Sequence, residues 1–222
     1  MDLSPVAEDY LKAIYHLEND HGEPVRTAEI SDAVGVTSPT VSSMVDTLDE
    51  RDLVEYTPYE GVELTDQGER VVLRLVRNHR LLETFLAEHL DVPWADVHDE
   101  ADRLEHHVSD EFVARLAEFL GHPTTDPHGD PIPDSEFRLP EESPYDPLTT
   151  YDPGERLVVE QVPHRDPDIR EYLSDHGIGP GTRLVVEEVS AVDLVTVVPT
   201  AGENPVPLPT RVARRIGVRP TT

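Results

Sequence analysis

The chain of 222 residues contains no cysteine. A disulfide framework is therefore excluded, and any bound metal must be held by nitrogen and oxygen donors. Lysine is nearly absent: Lys12 is the only one, so arginine carries almost all the positive charge. No apolar run is long enough to span a bilayer. The N-terminal MDLSPVAEDY has no basic start followed by an apolar core, so no signal peptide is expected. No internal repeat is visible. The expectation is a soluble cytoplasmic protein with no membrane partner.

Acid is what the chain has in excess. Asp and Glu number 46 against 18 Lys and Arg, a formal charge of -28. The acids run along the whole length and do not gather in one tail, as an interaction segment would. A diffuse acidic surface with little lysine suggests a halophilic cytoplasm, where molar salt screens self-repulsion within about 3 Å. The charge describes the solvent before it describes a partner.

Metal-binding residue types cluster in the middle of the chain. His79 and Glu83 are four apart and share a helix face. His98, Asp102, Glu105 and His106 fall within an arc of roughly 100° on a helix. Val97, Ala101, Leu104 and Val108 take the neighbouring arc. One face can pack while the other collects imidazoles and carboxylates, as a metal site requires. The rival reading is a solvated polar face on an amphipathic helix.

Helical spacing predicts a helix over 4–20, with Ser4-Pro5 at its start. Thr27 caps a short helix that Gly35 ends, and Ser38-Pro39 opens another. Two short helices joined by a turn containing glycine form a helix-turn-helix. A small hairpin at 53–64 and a long helix over about 66–90 complete a winged helix. Helices follow at about 94–107 and 109–120. Residues 122–152 are rich in proline and turn formers and read as a linker. Valine-rich runs at 157–162, 182–188 and 194–198, with a helix over 168–176 between the first two, read as a small β-barrel. The expected fold is mainly α with a small β domain. It comprises a winged helix-turn-helix (1–70), a helical domain (71–121), the linker (122–152) and a β-barrel (153–222).

Seven segments resemble one family in the same order: AEDYLKAIYHLE, VTSPTVSSMVDTLDERDLV, ELTDQG, NHRLLETFL, VHDEADRLEHHVSDE, GDPIP and YLSDHGIGPGT. They are similar to the diphtheria toxin repressor (DtxR/MntR) family of metalloregulators, over essentially the whole chain. The resemblance implies a homodimeric, metal-dependent repressor that binds operator double-stranded DNA when loaded with Mn(II) or Fe(II). It also implies a helical dimerisation and metal-binding domain and an SH3-like, FeoA-like C-terminal barrel. A primary site falls on Asp9, Asp102, Glu105 and His106, with metal bridging the DNA-binding and dimerisation domains. An ancillary site falls on His79, Glu83 and His98, with Asp166 and Asp168 as barrel candidates, giving up to two metals per subunit. Aspartates at the first two primary positions are manganese-like. Lys12, where manganese sensors carry a carboxylate, departs from their paired centre. His16, His89, His107, His122, His128, His164 and His176 are read as surface or loop polar groups, and Asp99 and Glu100 as solvent-facing.

The recognition helix begins at Ser38, and Arg26, Thr27, Thr37, Ser38, Pro39, Thr40, Ser42 and Ser43 are the expected DNA-binding residues. Hydroxyls and helix N-terminal amides suit phosphates, and Thr methyls or Pro suit thymine methyls. The plainer reading of Ser38-Pro39 is an ordinary helix start. Residues 1–52 carry twelve acids and only Lys12, Arg26 and Arg51, unlike a normal basic DNA footprint. Two rivals remain: a metal-binding winged helix that docks proteins, and a metal-dependent hydrolase. The hydrolase lacks a motif such as H-E-x-x-H or G-x-S-x-G beside the ligands, so no enzyme and no small organic substrate are expected. Control of metal-uptake genes is what the family resemblance implies.

Overall fold

The computed structural model describes residues 3–22, 24–140, 144–202 and 204–221. These divide into two compact units, residues 1–79 with 133–138, and residues 80–132 with 139–222. The part of the expected linker at 141–143 lies outside the described residues.

The first unit is built on α1 (Pro5–His21), α2 (Thr27–Val34), α3 (Ser38–Asp49), the hairpin β1 (Val54–Thr57) and β2 (Gly61–Leu64), and the first half of α4 (Asp66–Leu90). Ser4 caps α1 by accepting from the Ala7 amide, and proline opens the helix, as its missing N–H costs nothing there. The cap of α2 is Arg26 and not the expected Thr27: the Glu29 carboxylate reaches back to the Arg26 amide at 2.8 Å. Glutamate three residues into the helix therefore replaces the threonine hydroxyl. Tyr10, Leu11, Ile14, Ile30, Val41, Val45 and Leu48 meet in one apolar core, which fixes α2 and α3 as a helix-turn-helix. Gly68 lets α4 start against the loop before β1. A methyl there would stand 1.9 Å from the Leu53 carbonyl oxygen.

The second unit holds the rest of α4, α5 (Val97–Glu105), α6 (Asp110–Phe119) and a six-stranded antiparallel sheet. The strands are β3 (Asp146–Pro147), β4 (Arg156–Gln161), β5 (Arg183–Ser190), β6 (Leu194–Pro199), β7 (Val206–Pro209) and β8 (Gly217–Pro220), in the order β3-β8-β4-β5-β6-β7. Helices α7 (Pro167–Asp175) and α8 (Thr210–Ala213) cross between strands. Alternation along β4 buries Leu157 and Val159 and turns Arg156 and Val158 outward.

The sequence places β3 inside a linker and shows no strand at β8. β3 has two residues and β8 four, ending in proline, so neither offers a run of alternation to read. The start of the expected linker is also not loose. Asp126, His128 and Asp130 are buried, and Ile132 joins the core of α4, α5 and α6.

Candidate functional site

Three carboxylates and three imidazoles converge within the second unit. Glu83 comes from α4 and is completely buried. Its Oε1 lies 3.0 Å from His98 Nδ1 on α5 and 3.7 Å from His128 Nδ1 in the loop after α6. His164, from the segment between β4 and α7, stacks on His128 with ring centroids 3.9 Å apart. Glu83, His128 and His164 each offer a donor atom within 4.8 Å of the others, and all three are buried.

The loop at 126–130 is held by its own carboxylate. Asp126 Oδ1 accepts from the His128 and Asp130 amides at 2.8 and 2.9 Å. Its Oδ2 is buried without a hydrogen-bond donor, although Arg80 Nε lies 3.5 Å away. His128 Nε2 donates to the Trp94 carbonyl at 2.8 Å, which aims the opposite nitrogen at Glu83. That Nδ1 is buried with no hydrogen-bond partner. A histidine oriented through one nitrogen, with the other turned toward carboxylates, is the arrangement metal ligands use.

Electrostatics points the same way. Arg80 is buried and contacts both Asp126 and Asp130, at 3.5 and 3.2 Å. Arg80 is thus shared by Asp126 and Asp130, and Asp130 also feels the charge of Arg165. Burial, followed by the charges of Glu83 and Asp130, pushes the Asp126 carboxyl up to about 8. Burial tends to raise Asp130 too. Arg80, His164, Arg165 and the Gln161 side-chain hydrogen bond outweigh this and hold it at about 2. Burial and the adjacent His128 keep His164 neutral, well below the ordinary histidine range. Burial opposes protonation of His128, but Glu83, Asp126 and the Trp94 carbonyl prevail and raise its pKa. In the metal-free chain, a proton on Asp126 stands where a divalent ion would supply charge. Orphaned acceptor atoms and an oxygen and nitrogen donor set therefore fit Mn(II) or Fe(II).

This gives a pH dependence with a defined sign. A raised carboxyl pKa stabilises the metal-free fold fully below its ordinary value of 3.8 and loses that contribution as pH rises through about 8. Denaturant titrations of metal-free protein should show stability falling with pH across this window, by at most about 1.4 kcal/mol per unit for one proton. Asp126→Asn should flatten the slope, and Mn(II) affinity should rise with pH over the same range. A metal-free stability that climbs toward pH 8, or an unchanged slope in Asp126→Asn, would contradict the assignment.

The barrel side of the site is held by an ion pair. Arg170 on α7 is buried and donates to the His164 carbonyl at 3.3 Å and to both Asp99 oxygens at 3.1 Å. Asp99 is exposed, as the sequence suggested, and also anchors α5 to α7 through Arg170. Arg170→Met should weaken Mn(II) binding roughly tenfold, as for other groups that orient a ligand. A calorimetric titration unchanged from wild type would rule that role out.

The sequence-predicted residues distribute as follows. His79 is buried one turn before Glu83 on α4, and Glu83 and His98 are in contact. Asp102 Oδ2 lies 3.7 Å from His98 Nε2. Glu105 is buried, with Oε1 3.5 Å from His106 Nε2 at the end of α5. Asp9 is exposed on α1 in the first unit. Asp166 caps α7, accepting from the Asp168 and Ile169 amides at 3.0 and 3.3 Å, and Asp168 is exposed. The barrel residue brought to the cluster is instead His164. His128 and His164 correct the reading of loop histidines as surface. The D-P-H-G-D run at 126–130 puts potential ligands at alternate positions and could have marked this loop; His164 carries no comparable local signal.

In the first unit, Thr37, Ser38, Pro39, Thr40 and Ser43 are exposed at the start of α3, Arg26 is exposed, and Thr27 and Ser42 are half-buried. Thr37 and Thr40 hydroxyls pair at 3.0 Å, and Ser42 donates to the Ser38 carbonyl at 3.1 Å. This helix start presents hydroxyls to the exterior.

Three family profiles match the chain. They are the N-terminal DNA-binding domain of iron-dependent repressors over residues 2–62, their metal-binding and dimerisation domain over 65–134, and the FeoA domain over 147–220. The iron-dependent repressor IdeR of Mycobacterium tuberculosis is 33% identical over 228 residues, covering 98% of both chains. The diphtheria toxin repressor of Corynebacterium efficiens is 39% identical over 132 residues, 60% of this chain and 57% of that one. A solved manganese-dependent transcriptional repressor in complex with manganese superposes with a TM-score of 0.82 at 36% identity, covering 97% of this chain and all of that one (100%). The IdeR of T. acidophilum gives 0.78 at 28% identity, with 100% of each chain covered.

Proposed function

Since the chain belongs to the iron-dependent repressor family, we propose that it is a transcriptional repressor that binds operator DNA only when loaded with Mn(II) or Fe(II). The observation that carries the metal half of this reading is the buried group of Glu83, His128 and His164, beside Asp126, with Asp126 Oδ2 and His128 Nδ1 buried without hydrogen-bond partners. Bound there, the ion supplies the positive charge that these carboxylates lack. Glu83 holds α4, His98 holds α5, Asp126 and His128 hold the loop after α6, and His164 holds the barrel segment. Loading the site therefore ties four segments together, and stability follows metal concentration by mass action. His79 stands beside Glu83 in sequence as a further donor. By resemblance, Asp9, Asp102, Glu105 and His106 would make the primary site, giving up to two ions per subunit.

The DNA half rests on α3, whose exposed hydroxyls suit phosphates and base edges. Leu90, Leu104, Phe112 and Phe119 leave apolar surface exposed on α4, α5 and α6, which fits a homodimer. Complete burial of Glu83 and His128 suits a switch better than a hydrolase, which keeps a metal position open to substrate. We assign the protein to a salty cytoplasm, where it controls metal-uptake genes.

The test is fluorescence anisotropy of an operator-containing fragment with Mn(II), Fe(II) and EDTA. Metal-dependent binding supports the reading; equal binding in EDTA, or none with either metal, overturns it. With so few bases in residues 1–52, operator affinity should change little with KCl, or increase, because counterion release is small. A steep loss of affinity with added salt would contradict that expectation.

A further inference from the structure

Away from the metal cluster, the outer face of the sheet gathers arginines. Val158 on β4 pairs with Arg183 on β5 and with Arg219 on β8. The two arginines therefore flank one central residue and share its outward face. Arg156 lies two positions before Val158 on the same strand and face, and Glu160 two positions after. Together they line a groove of about 770 Å³. Three guanidinium groups face it against a single carboxylate, in a chain with 46 acids and 18 bases.

The carboxylate is committed. Glu160 Oε1 accepts from Arg219 Nε at 2.9 Å and holds that guanidinium in place. Among the described residues, Arg156 and Arg183 have no ion-pair partner, although acids outnumber bases more than two to one. Their main-chain carbonyls accept from the Thr221 and Thr200 hydroxyls at 3.0 and 2.8 Å, which fixes the groove edge. The volume falls within the several-hundred-Å³ range of small-molecule sites.

We propose that this groove binds a small molecule carrying two or more phosphate or carboxylate groups, with Arg156 and Arg183 as its principal partners. Planar guanidinium groups match both anions through paired hydrogen bonds. The concave shape and the fixed Glu160 favour a compact ligand over the continuous phosphate backbone of DNA. The groove is separate from the metal donors, so this assignment does not depend on the metal reading.

The arginine Nε–H signals of full-length, metal-free protein report binding by NMR, and absence of metal removes chelation as an explanation. Fructose 1,6-bisphosphate and succinate serve as the phosphate and carboxylate probes, and a short duplex of unrelated sequence as the nucleic-acid probe. Work at roughly 1 M KCl screens unspecific attraction beyond about 3 Å. Saturable shifts of Arg156, Arg183 and Arg219 with either small anion are expected, and in the Arg156→Gln, Arg183→Gln double variant the remaining Arg219 signal should report affinity weakened at least about tenfold. That variant should keep the wild-type melting temperature, which shows the fold intact. Non-saturating shifts, equal binding by the variant, or saturation by the duplex alone would overturn the proposal.

Discussion

Replacing Glu83 by glutamine is expected to lower Mn(II) affinity by about 100-fold or more and to abolish operator binding at manganese levels that saturate the wild type. Glu83 is the residue that the other donors share: it contacts His98 and His128 and lies within reach of His164. Glutamine keeps the volume and removes the charge. The metal-free variant should therefore fold at least as well as wild type, because one of the charges that push Asp126 upward is gone. That separates a lost ligand from a damaged fold. Competition against a fluorescent chelator gives the affinity, and thermal melting gives the stability. Wild-type affinity in the variant would remove Glu83 from the site.

The second large effect is expected at Gly129→Ala. Gly129 has φ +88, and an added methyl would lie 1.9 Å from the Glu160 carbonyl oxygen of β4. That neighbour is strand backbone and cannot rotate away. A left-handed non-glycine residue costs roughly 1–2 kcal/mol and overpacking roughly 1–3, so a loss of about 3 kcal/mol is expected. For a chain of this size that is a drop of about 6–12 °C in melting temperature. Gly129 sits between His128 and Asp130, and the Val162 amide donates to the His128 carbonyl at 2.9 Å. Displacing the loop therefore displaces a ligand, and metal should no longer raise the melting temperature as it does for wild type. Gly129→Asn, which tolerates the backbone angle better, should fare no better because the clash remains. A wild-type melting curve for either variant would show that the loop has room to spare.

The helices and the sheet's longer strands were legible because their apolar residues recur at 3.6 or 2. The long helix read over 66–90 is α4 at Asp66–Leu90. The helix-turn-helix was legible from Ser38-Pro39 and Gly35, which mark helix ends for local reasons. Half of the candidate site was legible for the same reason: Glu83 and His98 lie on helices, where spacing predicts a shared face. The other half was not. His128 and His164 lie 36 residues apart on loops, where no period relates them, and only folding stacks their rings. Proline in 122–152 suggested a free linker, yet the same prolines leave a stiff loop whose carboxylates are buried. Arg170 and Asp99, 71 residues apart, carried no sequence signal of their pairing.

The central claim is that a divalent ion seated among Glu83, Asp126, His128 and His164 controls DNA binding. Anomalous diffraction at the manganese edge, from crystals of full-length protein grown with Mn(II), tests it most directly. The account predicts a peak at coordination distance from a Glu83 oxygen, His128 Nδ1 and His164. A strong manganese signal elsewhere in the molecule, with none among these four side chains, would contradict it.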